Sequence, residues 1–241
     1  MQNPPKTTDT LNMGKHSKYE TDPQSSQEEA PSARAELAER PRLARLGPRV
    51  FLIRHADASE GPKDGDGGRH LTTLGLHQAL ALARRLANWR MDAIICSDKH
   101  RARETAEAIH SYHPEIPLIV DASFQEASRG RIERHEQGDP EQAGLFERLE
   151  SAWEKATSTS YEIKVIIAHN GLIKYFLGRT IDSAGVLKPH FHCTETGITG
   201  IQLTPRGPRL EFFNDTHHLT PEIVTPGPKA PWIEGMIRRQ G

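Results

Sequence analysis

Two histidines and two arginines stand where short apolar runs end. Val50-Phe51-Leu52-Ile53 leads into Arg54-His55, and the run from Ile163 to Ala168 leads into His169. Ala93-Ile94-Ile95-Cys96 leads through Ser97 toward Arg101. Imidazole has an unperturbed pKa of about 6.5, so near pH 7 it is neutral, nucleophilic and able to exchange a proton. Guanidinium keeps its charge and offers a planar fork of donors that fits anionic oxygens. Singly, none of the four is distinctive. A histidine at a strand end is usually structural or solvated, and an arginine in a first helical turn is usually on the surface. Their joint placement, spread from position 54 to position 169, predicts a small anion site.

The elements that must position these residues follow from hydrophobic pattern. The three apolar runs are short and unbroken, as befits strands buried on both faces. A helix begins after Thr72, a plausible N-cap, with Leu76, Ala79, Leu80, Ala83, Leu86 and Ala87 on one face. Ser97 is placed to cap a second helix running to about Ser111, and Leu118-Ile119-Val120 reads as a third, shorter strand. Asp139-Pro140 reads as the start of a helix continuing to about Ala156. The helix after Asn170-Gly171 ends near Gly178. Residues 197–203 and 210–213, joined by Thr204-Pro205-Arg206-Gly207-Pro208, read as a hairpin. Apolar strands alternating with helices imply a mainly parallel sheet covered on both faces, with ligands beyond the carboxyl ends of its strands. The Gly-rich stretch at 61–68 lacks G-x-x-x-x-G-K-[ST] and G-x-G-x-x-G, so it reads as a rim loop and not a nucleotide cradle.

Five segments, in order, carry a family resemblance. Leu52-Ile53-Arg54-His55-Ala56 resembles the "RHG" box of the histidine phosphatase (phosphoglycerate mutase-like) superfamily. Leu71-Thr72-Thr73-Leu74-Gly75-Leu76-His77-Gln78-Ala79 is similar to its L-T-x-x-G-x-x-Q-A helix start. Ser97-Asp98-Lys99-His100-Arg101-Ala102-Arg103-Glu104-Thr105-Ala106 is similar to its S-x-x-x-R-A-x-x-T-A segment. Ala168-His169-Asn170-Gly171 stands at the second "HG" box, and Phe213-Asn214-Asp215-Thr216-His217-His218-Leu219 resembles the closing N-D-T-x-H-L. The chain departs from the pattern at Ala56, where the family has Gly, and at Asn170, interposed before Gly171. Either departure could reshape the pocket.

The resemblance implies an α/β three-layer sandwich with a mainly parallel central sheet. It also implies a metal-independent phosphatase working through a phosphohistidine on His55. Arg54, Arg101 and His169 would bind the phosphoryl group. Glu126, in Ser123-Phe124-Gln125-Glu126, would be the proton donor, with Asp57 as the fallback acid. No cofactor is implied. His190, His192, His217 and His218 lack the Cys or carboxylate spacing of a metal site, so none is expected there, and His218 is expected to help close the fold. The serine/threonine-protein phosphatase branch is the most similar one, making the expected partner a phosphoprotein or a small phosphometabolite. Mutases usually carry longer insertions around the acid residue, which disfavours a mutase. A catalytically silent phospho-ligand module is the other alternative, and retention of all four basic residues argues against it.

Composition bounds the rest. With 31 basic and 32 acidic residues in 241, the net charge is −1. No long-range field therefore draws the chain to nucleic acid or an anionic membrane, and oligomeric state is not readable. No apolar run approaches the roughly 18 residues of a membrane span, and two cysteines make no disulfide framework, so a cytoplasmic location is expected. Residues 1–47 read as a polar, disordered arm, 48–219 as the phosphatase domain and 220–241 as a proline-rich tail.

Overall fold

The computed structural model describes residues 47–59, 69–128, 130, 131, 137–158, 160–181 and 191–225. The chain divides into two units, Met1–Arg40 and Pro41–Gly241. Nearly all of the expected arm, the Gly-rich loop at 61–68, His190 and positions 226–241 of the expected tail lie outside the described residues.

Six strands are described. β1 (Arg49–Arg54), β2 (Ala93–Cys96), β3 (Leu118–Val120), β4 (Ile163–Ala168), β5 (Ile198–Thr204) and β6 (Gly207–Asp215) form one sheet in the order β3-β2-β4-β1-β5-β6. The first four are mutually parallel, and β5 and β6 add an antiparallel edge beside β1. The mainly parallel α/β expectation therefore holds, with the hairpin joined to the same sheet.

Alternate strand residues feed opposite faces, the period-two rule of an extended chain. Val50, Leu52, Ile95, Ile166 and Ala168 pack with one pair of helices, α3 (Leu145–Thr157) and α4 (Asn170–Ile181). Phe51, Ile53, Ile94, Cys96, Val165 and Ile167 pack with the other, α1 (Thr73–Leu86) and α2 (His100–His110). Three layers follow from that alternation. Trp89 and Trp153 serve as packing, edge-on to Phe51 and Phe176 at 4.9 and 5.2 Å.

Several local expectations shift. Thr72 does cap α1, its hydroxyl accepting from Gly75 N at 3.0 Å. The inward face is nevertheless Gly75, Gln78, Ala79, Leu82, Ala83 and Leu86, while Leu76 is 57% and Leu80 39% exposed. The cause is how tightly α1 meets the chain leaving β1. A Cβ on Gly75 would lie 1.9 Å from the Asp57 carbonyl oxygen, and Gln78 Oε1 accepts from Asp57 N at 2.8 Å. These contacts fix the helix's rotation, and an apolar stripe read from the sequence alone misses it. Pro140–Gln142 is only a 3-10 turn, because Gly144 takes a left-handed conformation (φ 75°) and α3 starts after it. β6 runs from Gly207, so the hairpin turn is shorter than expected.

Candidate active site

The carboxyl ends of β1, β2 and β4 meet on one rim, and the start of β5, antiparallel to β1, arrives at the same rim. His55 follows β1 and is held by backbone: its N–H donates to Ala168 O at 2.9 Å. Its Nδ1 lies 2.7 Å from the Ala56 carbonyl oxygen, which accepts a hydrogen bond from Nδ1–H. Nε2 is thereby left as the lone-pair nitrogen, and Arg101 Nε donates to it at 3.1 Å. Arg101 Nη2 reaches His169 Nδ1 at 3.2 Å, and His169 Nε2 lies 2.9 Å from Ser97 Oγ. The two imidazole rings stand edge-to-face, 5.1 Å apart.

All of these groups are buried: His55 is 6%, Arg101 5%, His169 0% and Ser97 0% exposed. Desolvation first, then the charges of Arg101, Arg54 and Arg69, push the His55 pKa down to about 3, with the Ala56 carbonyl pulling the other way. Burial and then neighbouring His55 and Arg101 hold His169 well below the usual imidazole range. Both rings are neutral at pH 7, the state a nucleophile requires.

Arg54 is anchored at its far end. Nη1 donates to Cys193 O at 2.7 Å, and Nη2 pairs with Glu195 Oε1 at 2.6 Å. Its Nε is buried with no partner among the described residues, and an orphaned buried donor of this kind marks a place for a ligand acceptor. Arg54, His55, Arg101 and His169 are thus brought together.

Glu126 is set at the rim by two loops. Its Oε1 accepts from Ala127 N and Gly171 N, both at 2.8 Å, and Arg148 and Arg131 donate to its own carbonyl at 3.2 and 3.0 Å. Asp57 is spent otherwise, its carboxylate accepting from Thr72 Oγ1 at 2.5 Å. Ser97 does not cap α2. Lys99 is the N-cap residue and makes no side-chain cap bond, since its ammonium only donates, while Ser97 Oγ lies against His169.

Two of the histidines weighed as metal ligands have side-chain partners among the described residues. His217 Nδ1 pairs with Asp215 at 2.6 Å, and His218 Nε2 lies 3.0 Å from Thr196 Oγ1. Thr196 N in turn donates to Arg54 O at 3.0 Å, so His218 closes the fold through the loop that carries Glu195.

Residues 50–144 match the profile of the histidine phosphatase superfamily, branch 1. The Schizosaccharomyces pombe protein named "Probable phosphatase C1687.21" is 26% identical over 201 residues, 72% of this chain and 96% of that one. The mitochondrial serine/threonine-protein phosphatase PGAM5 of Xenopus tropicalis is 26% identical over 190 residues, 73% of this chain and 67% of that one. In fold, the chain is similar to a phosphoserine phosphatase mutant of Entamoeba histolytica in complex with phosphoserine. That superposition has a TM-score of 0.54 at 20% identity and covers 72% of this chain and 100% of the other.

Through residues 50–144 the chain resembles the histidine phosphatase superfamily, and it is an enzyme of the phosphatase kind.

In this chain the two departures from the family pattern have definite places. Ala56 is fully buried, and its N–H donates to Thr105 Oγ1 at 3.0 Å. Asn170 opens α4, with its Oδ1 buried and unpartnered among the described residues. Sequence reasoning missed Glu195, the 6%-exposed carboxylate that pairs with Arg54. Its signal lies in the topology alone: Thr194-Glu195-Thr196-Gly197 precedes β5, and an antiparallel strand beside β1 starts where β1 ends. Arg148, whose guanidinium also gathers the carbonyls of Ser123 and Gln125 at 2.8 and 2.9 Å, left no sequence signal beyond a charge on a helix.

Proposed function

We propose that this histidine phosphatase hydrolyses phosphomonoesters, with phosphoserine or phosphothreonine in proteins as the substrate class, through a phosphohistidine and without a metal. One observation carries the reading: the neutral, buried His55 has its Nδ1 proton tied to Ala56 O and its Nε2 lone pair aimed at the guanidinium of Arg101. A phosphoryl group seated between them meets a nucleophile on one side and cationic donors around its oxygens.

His55 Nε2 attacks phosphorus while the bond to the ester oxygen breaks. Arg54 Nε, Arg101 and His169 share the charge on the equatorial oxygens. Glu126 gives its proton to the departing alkoxide. Because Oε1 is committed to two backbone N–H groups, that proton is carried on Oε2. In the second half, the Glu126 carboxylate takes a proton from water as the water oxygen attacks phosphorus. The P–N bond breaks, its electron pair returns to Nε2, and inorganic phosphate leaves.

The likeness to the protein-directed phosphatase of Xenopus supports the substrate class. The test is hydrolysis of p-nitrophenyl phosphate, phosphopeptides, free phosphoserine and sugar phosphates, each with and without chelator. Phosphopeptides are expected to turn over best, and His55→Ala to lower kcat on the order of 10⁴-fold or more. Activity that survives in His55→Ala, or disappears with chelator, overturns the mechanism. A clear preference for free metabolites overturns the substrate class alone.

A further inference from the structure

Outside the phosphate pocket, three metal-competent side chains face one another. His70 lies just before α1, and His100 and Glu104 occupy the first turns of α2. One ligand atom from each falls within 4.8 Å of the other two. The imidazoles of His70 and His100 lie 4.5 Å apart between centroids at a 30° tilt, and His70 Nδ1 is bonded to Glu104 Oε1. Glu104 Oε2 accepts from Leu71 N at 2.8 Å, which fixes the carboxylate relative to the 70–71 segment.

We propose that His70, His100 and Glu104 bind a divalent transition cation of the zinc type, joining the segment before α1 to the first turns of α2. The donor set supports this class. Two imidazole nitrogens and one carboxylate oxygen suit zinc, nickel or copper, whereas magnesium and calcium favour all-oxygen shells. His100 and Glu104 are four apart on a helix and so share a face. A tetrahedral ion holding its ligands at about 2.0–2.1 Å sets them about 3.4 Å from each other, so side-chain rotations close the present spacing. The cation takes the place of the proton shared between His70 and Glu104. The His70 side chain is 56% exposed, leaving a fourth position open to water. The ion stays off the reaction coordinate, since none of the three residues bonds to His55, Arg54 or His169. Arg101 leaves the same helical turn toward the phosphate pocket.

The experiment is calorimetric titration of the chelator-stripped full chain with zinc chloride, paired with thermal unfolding. The visible absorption of a cobalt-loaded sample serves as the geometric probe. Wild type is expected to bind with micromolar affinity, to gain thermal stability with added zinc and to show the intense bands of a four-coordinate cobalt site. His70→Ala, at an exposed position that leaves folding intact, and His100→Ala should each weaken binding about tenfold or more and abolish the thermal gain. The His55→Ala/His169→Ala double variant should bind as wild type does. Absent binding at micromolar zinc overturns the proposal. So does binding unchanged in both His70→Ala and His100→Ala, or binding lost only in the His55→Ala/His169→Ala variant.

Discussion

At the scale of single residues, the pocket works by subtraction. His55 and His169 are stripped of water and surrounded by positive charge, and both are thereby kept neutral. Arg101 spans the two rings with a planar fork, a geometry that Lys, with one ammonium, cannot reproduce. Arg101→Lys is therefore expected to lower kcat/KM about a hundredfold with the fold intact, read from steady-state kinetics beside a circular dichroism spectrum. Glu126→Gln should separate substrates by leaving group. A large loss on an alkyl phosphate and a small one on an aryl phosphate supports the acid role, and equal losses remove it. The residues with the best-developed side-chain chemistry were the readable ones. Arg54, His55, Arg101 and His169 stand at strand ends or in a first helical turn, where periodicity locates them. Glu195 became legible only once β5 was known to run antiparallel to β1, because only then does its start fall on the rim that holds His55. Nothing local announced it.

At the scale of elements, close approach does the positioning. Gly171 sits where α4 begins, and a Cβ there would lie 2.1 Å from Ala127 O and 2.5 Å from Glu126 Oε1. Gly171→Ala must displace the loop that holds Glu126. It is expected to cost about 1–3 kcal/mol of stability, measured by urea unfolding. It should also reduce turnover of poor leaving groups more than of good ones. The strands before β6 were legible to within a residue or two, because unbroken apolar runs have few other uses, whereas β6 starts three residues earlier than its apolar run. Helix boundaries and faces were less so. The rotation of α1 is set by Gly75 and Gln78 against Asp57, contacts between segments that a single helical wheel does not contain. The start of α3 is set by the left-handed Gly144, which overrides the Asp139-Pro140 signal. Gln78 shows what such a misread helix face conceals. Its Nε2 donates to Ile223 O and Thr225 Oγ1 at 2.9 and 2.8 Å, pinning the chain beyond β6 to α1.

At the scale of the whole molecule, buried neutral histidines tie stability to pH. The pKa of His55 falls to about 3 and that of His218 to about 4 on folding, and that of His169 falls well below its usual value. In the unfolded chain all three titrate near 6.5, so between pH 6.5 and about 4 the unfolded state binds more protons. Stability is expected to be full above that window and to drain away as pH falls through it. A urea midpoint that drops steadily from pH 7 to 4.5, with proton uptake on unfolding, checks this. A flat midpoint contradicts it. The near-zero net charge of the chain hides this behaviour, since it counts histidines as neutral wherever they lie. The order of the sheet also governs when activity can begin. β4 lies between β1 and β2, and β5 covers the other side of β1. On a ribosome, the strand that leads into His55 emerges early with neither neighbour yet made. A nascent chain ending at residue 144 holds Arg54, His55 and Arg101 with no sheet to set them together. The enzyme is therefore born late: its first turnover must wait until the segment through β5 has cleared the exit tunnel.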